Sequence, residues 1–309
     1  RAAAAVRQAL RHAGVDAEVE AILIQREPFE RNGARVEPFA AGTRFDKGRL
    51  WHVELEFVKP IPGPLVIGDG RFMGLGIMAP MPRLQGLHAF EIAAGLQPDA
   101  DPAALVRAFR RAVMARASSV IDAEGLPPFF SGHEQDGGPL RSEHHSHLAF
   151  AFDPESNVFL VVAPHVLDRR DATLDEKQNL QVLEKALTEF NELRAGNAGR
   201  LTLRVARRDL IERRFLAPSR RWRSVTPYQV TRHARAKDAH EALAEDMRLE
   251  CLRHGIPMPC VKVSECRGVS KMGLMGDAEL SFAVAIPGPI LLGRGRYFGL
   301  GLFVPDESC

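Results

Sequence analysis

Residues able to do acid–base chemistry crowd into one stretch. Ser131 to His147 reads SGHEQDGGPLRSEHHSH and holds His133, His144, His145 and His147, four of the eleven histidines in the chain. Glu134, Asp136, Arg141 and Glu143 lie among them. An unperturbed histidine titrates at about pH 6.5, so it can take and give protons near neutrality. Cleaving RNA without a metal needs a base for the 2′-hydroxyl, an acid for the 5′-oxygen leaving group, and a cation for the charged phosphorane. Histidines and Arg141 in one loop can supply all three. His133, presented by an SGH turn, and His145 rank first, then His144 and His147. Which is base and which is acid stays open. The same histidines and carboxylates could instead ligate zinc or manganese, although HE and HHxH are not standard ligand spacings. A purely structural role, capping turns and strand edges, is the third reading.

A second cluster combines Arg220, Arg221, Trp222 and Arg223 with Tyr228, Arg232, His233, Arg235 and Lys237. Cations interleaved with aromatic rings suit single-stranded RNA, where arginines meet phosphates and Trp222 or Tyr228 can stack a base. Tyr228 and His233 are also candidates for acid–base work. The alternative is a linker whose Trp222 packs into the core. A third cluster is helical. Arg107, Arg110 and Arg111 share one side of a segment whose apolar positions include Leu105, Phe109 and Val113. They form either a solvated face or the floor of an RNA groove.

These side chains need elements to hold them, and the clearest such element occurs twice. Ile61 to Pro80 reads IPGPLVIGDGRFMGLGIMAP, and Ile286 to Pro305 reads IPGPILLGRGRYFGLGLFVP, identical at eleven of twenty positions. Two matched copies point to two related domains. Clustered glycines allow tight turns and close backbone approach to a ligand. The second copy carries Gly293, Arg294, Gly295, Arg296, Tyr297 and Gly299, and the first carries Asp69 and Arg71 at the positions of Arg294 and Arg296. The second loop is therefore expected to grip phosphate, through Arg294, Arg296 and its backbone amides. The first, with Arg71, is expected to contact RNA lightly or pack on a neighbour. No GK[ST] follows either loop, so neither is a Walker nucleotide site.

Both loops are preceded by the order helix, strand, strand. At the start these are residues 2–13, Ala17–Gln25 and Leu50–Val58. Near the end they are Ala239–His254, Cys260–Glu265 and Ala278–Ala285. Between them, Leu87–Ala93, a helix Ala103–Asp122 capped by Asp101, a hairpin Ser146–Asp153 with Val158–Ala163, a helix Leu174–Arg194 and a strand Leu201–Ala206 make a βαββαβ unit. The predicted class is α+β, with tandem ferredoxin-like (RRM-like, βαββαβ) domains and Gly-rich loops. The predicted divisions are 1–82, 83–214 and 215–309, with 1–82 read as the end of a domain whose beginning is missing.

Hydrophobic residues make up 45% of the 309, enough for real cores, and the net charge of +2 requires any nucleic-acid affinity to come from local clusters. The cysteines, Cys251, Cys260, Cys266 and Cys309, form no CxxC pair, which argues against a zinc ribbon or a disulfide framework and for reduced, cytoplasmic thiols. No apolar run is long enough to span a membrane, and no signal-peptide pattern opens the sequence. No cofactor is expected.

The segments Ser131–Phe150, WRSVTPYQVTRH (Trp222–His233) and Gly288–Phe303 together resemble RAMP proteins of CRISPR systems. More narrowly, the chain resembles the type I-U (I-G) subunit that fuses the fifth and sixth Cas families. The resemblance runs from about Leu126 to Pro305. It implies ferredoxin-like RNA-binding domains and endoribonucleolytic processing of CRISPR repeat RNA. The expected reaction is metal-independent transesterification leaving a 2′,3′-cyclic phosphate. By the same resemblance, residues 1–82 end a part that holds the guide's 5′ handle, and the product is retained with other subunits of a type I effector complex. A non-catalytic RNA-binding subunit and a metal-dependent nuclease are the competing expectations.

Overall fold

Helix caps and apolar strand runs written in the sequence set several of the elements. A computed structural model describes residues 2–29, 33–59, 61–79, 86–121, 125–133, 147–231, 238–269 and 273–306. The chain divides into two units, Arg1–Pro82 and Arg83–Cys309.

The first unit contains α1 (Ala2–His12), β1 (Val19–Gln25) and β2 (His52–Phe57). β1 and β2 pair antiparallel, and the Arg26 guanidinium sits 4.3 Å from the centre of the Trp51 ring. The short strands β3 (Leu65–Val66) and β4 (Ile77–Met78) bracket the first glycine loop. Among the described residues of this unit, the buried apolar side chains are Leu10, Val36 and Ile67.

The second unit begins with β5 (Leu87–Ala94), α2 (Pro102–Val120), α3 (Pro128–Ser131), β6 (Ala149–Asp153) and β7 (Val158–Val162). It continues with α4 (Pro164–Leu167), α5 (Leu174–Leu187), β8 (Glu192–Arg194) and β9 (Arg200–Val205). The sheet order is β6-β7-β5-β9-β8, antiparallel throughout. Asp101 accepts from the Ala103 and Ala104 amides to start α2, and Thr173 with Glu176 forms a capping box on α5. Both helices cover one face, where Phe109 stacks on Phe159 and Phe190 at centroid distances of 4.5 and 5.8 Å.

The expected helix Leu174–Arg194 is shorter. It ends at Leu187, Glu189 turns at φ 55°, and Glu192–Arg194 leaves as edge strand β8. Burial decides this. Phe190 drops into the core and Leu193 pairs opposite Leu201, contacts a continued helix would forfeit.

A second sheet follows from α6 (Arg208–Ile211), β10 (Ser219–Ser224), β11 (Tyr228–Gln229), α7 (Ala239–Arg253), β12 (Cys260–Val269), β13 (Gly273–Ile286), β14 (Ile290–Leu291) and β15 (Leu302–Pro305). Its order is β11-β13-β10-β15-β14, with β12 also on β13. The run β12-β13-β10-β15 repeats the order β6-β7-β5-β9. Here the second glycine loop stands between β13 and β15, where α5 stands between β7 and β9. Ala89, Ala151 and Leu160 of the first sheet pack with Phe215, Leu302 and Val304, so the two sheets share a core.

Candidate functional site

The site grows from the turn after α3. Phe129 and Phe130 are buried and anchor that one-turn helix, which Gly132 closes at φ +73°. A Cβ at Gly132 would lie 2.5 Å from His147 Cδ2 and 2.6 Å from Nε2, so the turn must be glycine for both backbone and space. His133, the next residue, is exposed. Arg110 of α2 locks the turn by donating from Nη2 to the Ser131 carbonyl at 2.8 Å.

His147 is buried beneath this turn. Its Nδ1 is 2.9 Å from its neighbour's carbonyl, Leu148 O, and its ring stacks on Tyr297 at 4.0 Å. Burial pushes its pKa down to about 4, the Leu148 bond opposes this, and the charges of Arg110, Arg296 and His133 add to it. His147 is therefore neutral at pH 7, with Nδ1–H donating. Its other ring edge faces Gly132, so it supports the turn rather than facing solvent.

The second glycine loop lies against the same place. Its turn of 3₁₀ helix, Arg296–Phe298, ends at Gly299 with φ +97°. A Cβ there would approach Val106 of α2 to 2.8 Å. Phe298 is left 52% exposed, with Arg110 lying 5.1 Å from its ring centre. Val106, Arg107, Arg110, Arg111 and Phe298 line one cleft.

Arg296, expected to grip phosphate, is engaged inside the fold. It donates from Nη1 to Glu250 at 3.1 Å, touches His254 Nε2 with the same nitrogen, and donates from Nη2 to the Tyr297 hydroxyl at 2.6 Å. His254 sits between two carboxylates, with Nδ1 3.1 Å from Asp168 and Nε2 3.2 Å from Glu250. Burial lowers the His254 pKa, but Asp168 and Glu250 outweigh it and the pKa is raised. Glu250 shifts down: burial opposes this, and His254, Arg296 and Arg253 prevail. This chain, Asp168–His254–Glu250–Arg296, is centred on the buried Glu250 and His254 and has no signature in the sequence. Glu250 on α7 and His254 at its C-cap are four apart, but nothing local marks their partner 42 residues after His254.

Several expected RNA contacts are engaged internally. The loop amides of Arg294, Arg296, Phe298, Leu300 and Gly301 donate to Gln229, Gly293, Gly295, Gly295 and Pro227 carbonyls, so these five are not aimed at a ligand. Trp222 and Tyr228 are fully buried and stack no base: the indole Nε1 donates to the Ser219 carbonyl and the Tyr228 hydroxyl to Asp246 at 2.7 Å. Burial, then Asp246, raises the Tyr228 pKa and keeps its phenol protonated. Arg223 forms a two-bonded pair with Glu155, and Arg223 first among the causes holds Glu155 at about 2. Arg116, farther along α2 than the expected contacts Arg107 and Arg111, donates to the Ala186 and Thr188 carbonyls at the end of α5.

Arg107 and Arg111 remain exposed on α2, Arg107 with a long 3.4 Å contact to Asp101. Arg220, Arg221 and Arg294 are exposed as well, Arg221 with further partners. Gly293 and Gly295 shape the loop against Tyr228 and Leu300. Arg71, in the other unit, stays with its own loop among the described residues, donating to Gly68 O at 3.3 Å and lying over Phe72. His144, His145, Arg141, Arg232 and His233 lie outside the described residues. No helix among the described residues is long and apolar enough to cross a membrane.

No family model matches the sequence. No curated protein is close enough in sequence to be matched. Among solved structures the chain is similar to the CRISPR RNA processing endoribonuclease Cas6b, with 11% identity, a TM-score of 0.32, and coverage of 71% of this chain and 99% of that one. It is also similar to Csf5, a CRISPR-Cas type IV Cas6 crRNA endonuclease, at 14% identity and TM-score 0.33, over 72% of this chain and 98% of that one. A further Cas6b structure is similar at 13% identity and TM-score 0.36, over 72% and 98%.

Proposed function

We propose that this chain is an endoribonuclease that cuts CRISPR repeat RNA without a metal and retains the guide RNA in a type I effector complex. The reading joins the type I-U resemblance of its sequence, with residues 1–82 as a fifth-Cas-family part and two ferredoxin-like domains after it, to one observation. That observation is the exposed His133, held on an αL glycine turn that Arg110 ties to an arginine-lined cleft.

Phosphates of a single strand would lie along Arg107 and Arg111, with Arg294 at the loop. The scissile phosphate would stand beside His133. His133 would exchange a proton with the 2′-hydroxyl or the leaving 5′-oxygen, and His144 or His145 would supply the other transfer. Attack of the 2′-oxygen on phosphorus expels the 5′-oxygen and leaves the 2′,3′-cyclic phosphate. His147, neutral and covered, acts by holding the turn.

Single-turnover cleavage of a repeat RNA in EDTA tests this. The intact chain should cleave, and His133→Ala should slow it by about 10²–10⁴-fold with RNA affinity unchanged. A requirement for a divalent ion, or an unaffected rate, overturns the reading. Tight RNA binding without any cleavage would favour a non-catalytic subunit, a version supported by the burial of His147.

A further inference from the structure

Phe298 is a large apolar side chain that the fold holds in the open. An exposed ring alone means little, since apolar atoms make up much of any protein surface. Three constraints set this one apart. Its preceding residue, Tyr297, is fixed by stacking on His147 at 4.0 Å and by the Arg296 bond at 2.6 Å. Its following residue, Gly299, is pinned against Val106. Arg110 lies over its ring at 5.1 Å. The ring is thus rigid, and yet 52% of the residue stays exposed in the cleft it shares with Arg107 and Arg111. Burial of Trp222 and Tyr228 leaves Phe298 as the aromatic residue of this arginine-lined cleft among the described residues.

We infer that Phe298 is a stacking platform for one unpaired nucleobase of single-stranded RNA, with Arg107 and Arg111 meeting the phosphates on either side of that nucleotide. This deepens the proposed function and rests on it for the RNA substrate. Every base has a π face, so the platform would be tolerant of sequence but would demand an unpaired base. A rigid ring loses little freedom on stacking, and the guanidinium behind it adds a cation to the pile. Because Arg110 lies over Phe298 and also holds the Ser131 carbonyl in the turn that presents His133, the held nucleotide would stand beside the cleavage point and fix the strand's register there.

The test uses fluorescein-labelled oligoadenylate of about twelve nucleotides and an abasic ribose-phosphate chain of the same length. Both are titrated into the intact protein, Phe298→Ala and Phe298→Trp, with circular dichroism to check folding. Stacking of a base on an aromatic ring predicts that Phe298→Ala binds oligoadenylate about 5- to 100-fold more weakly. Abasic binding should be unchanged, and Phe298→Trp should retain oligoadenylate affinity. Equal oligoadenylate affinity of Phe298→Ala and the intact protein overturns the inference and assigns the ring to a protein contact. An equal loss on both probes overturns it too, because that reports lost charge or fold rather than stacking. If the intact chain cleaves repeat RNA in EDTA but Phe298→Ala binds like the parent, the inference fails and the nuclease reading stands. If the intact chain binds neither probe and cleaves nothing, both fail.

Discussion

The two glycine loops share a backbone and differ in their surroundings. Each opens with a cis Gly-Pro bond, at Gly63-Pro64 and Gly288-Pro289. Gly68 and Gly293 turn at φ 92° and 91°, Gly76 and Gly301 at 71° and 68°. A Cβ on Gly76 would strike Ile67 O at 1.8 Å, and one on Gly301 would strike Leu292 O at 1.9 Å. Local sequence thus writes the same loop twice. What surrounds it is not the same. Gly299 presses on Val106 and Gly293 on Tyr228, while Gly74 and Gly68 face open space. Arg296 is bound into a carboxylate–histidine network, while Arg71, among the described residues, bonds within its own loop. Phe72 is 87% exposed, whereas its counterpart Tyr297 stacks on His147. The motif therefore specifies a shape, and its neighbours determine whether the arginine is structural.

The largest effect should come from removing the carboxylate under the second loop. Glu250→Ala leaves Arg296 and Arg253 without the acceptor they share, and breaking a buried pair this way costs about 3–5 kcal/mol. Arg71→Ala, at the matching arginine, should stay within about 0.5 kcal/mol. Urea denaturation of the intact chain measures both. Similar costs at the two sites would mean that the network holds nothing up.

A smaller contrast lies in the glycines. Gly299→Ala adds left-handed strain of about 1–2 kcal/mol to a collision with Val106 worth about 1–3 kcal/mol. Gly74→Ala adds only the strain, since nothing lies near its Cβ. Adding Val106→Ala should rescue part of the Gly299→Ala loss. Thermal unfolding without that rescue would show that the loop does not lean on α2.

Much of this was legible in the sequence. Glycine spacing gave both loops, Asp101 gave the start of α2, and apolar strand runs gave β5, β6, β7 and β9, while the edge strand β8 and the strand β10 have no such signal. Side-chain destinations were harder to read. Arginine, tryptophan and tyrosine look alike in sequence whether they face RNA or a buried acceptor. Trp222 is taken up by the Ser219 carbonyl, Arg223 by Glu155 across the two sheets, and Arg296 by a helix 42 residues earlier. Such pairings depend on how layers meet, which no local pattern records. The exposure of His133 follows from a local turn, Ser-Gly-His, and so could be read from neighbouring residues alone.

The last contrast is in pH dependence. His147 has a folded pKa of about 4, below its ordinary 6.5, so the native state resists its protonation. Its contribution to stability is complete above pH 6.5 and is lost as pH falls toward 4. Between pH 7 and pH 5 the loss should be about 2 kcal/mol. His254 has the opposite sign. Its raised pKa favours the native state below its ordinary value and loses that contribution as pH rises through the folded value. Measuring one variant against its parent at both pH values separates the two. His147→Phe keeps an aromatic ring against Tyr297 and removes the titration, at the expense of the bond to Leu148. It should be less stable than the parent at pH 7, and the gap should shrink by about 2 kcal/mol at pH 5. Phe72→Ala, at the exposed position of the first loop, should shift stability little and equally at both pH values. A constant gap for His147→Phe would mean that His147 takes up its proton inside the fold, and the stack on Tyr297 would then not distinguish the second loop from the first.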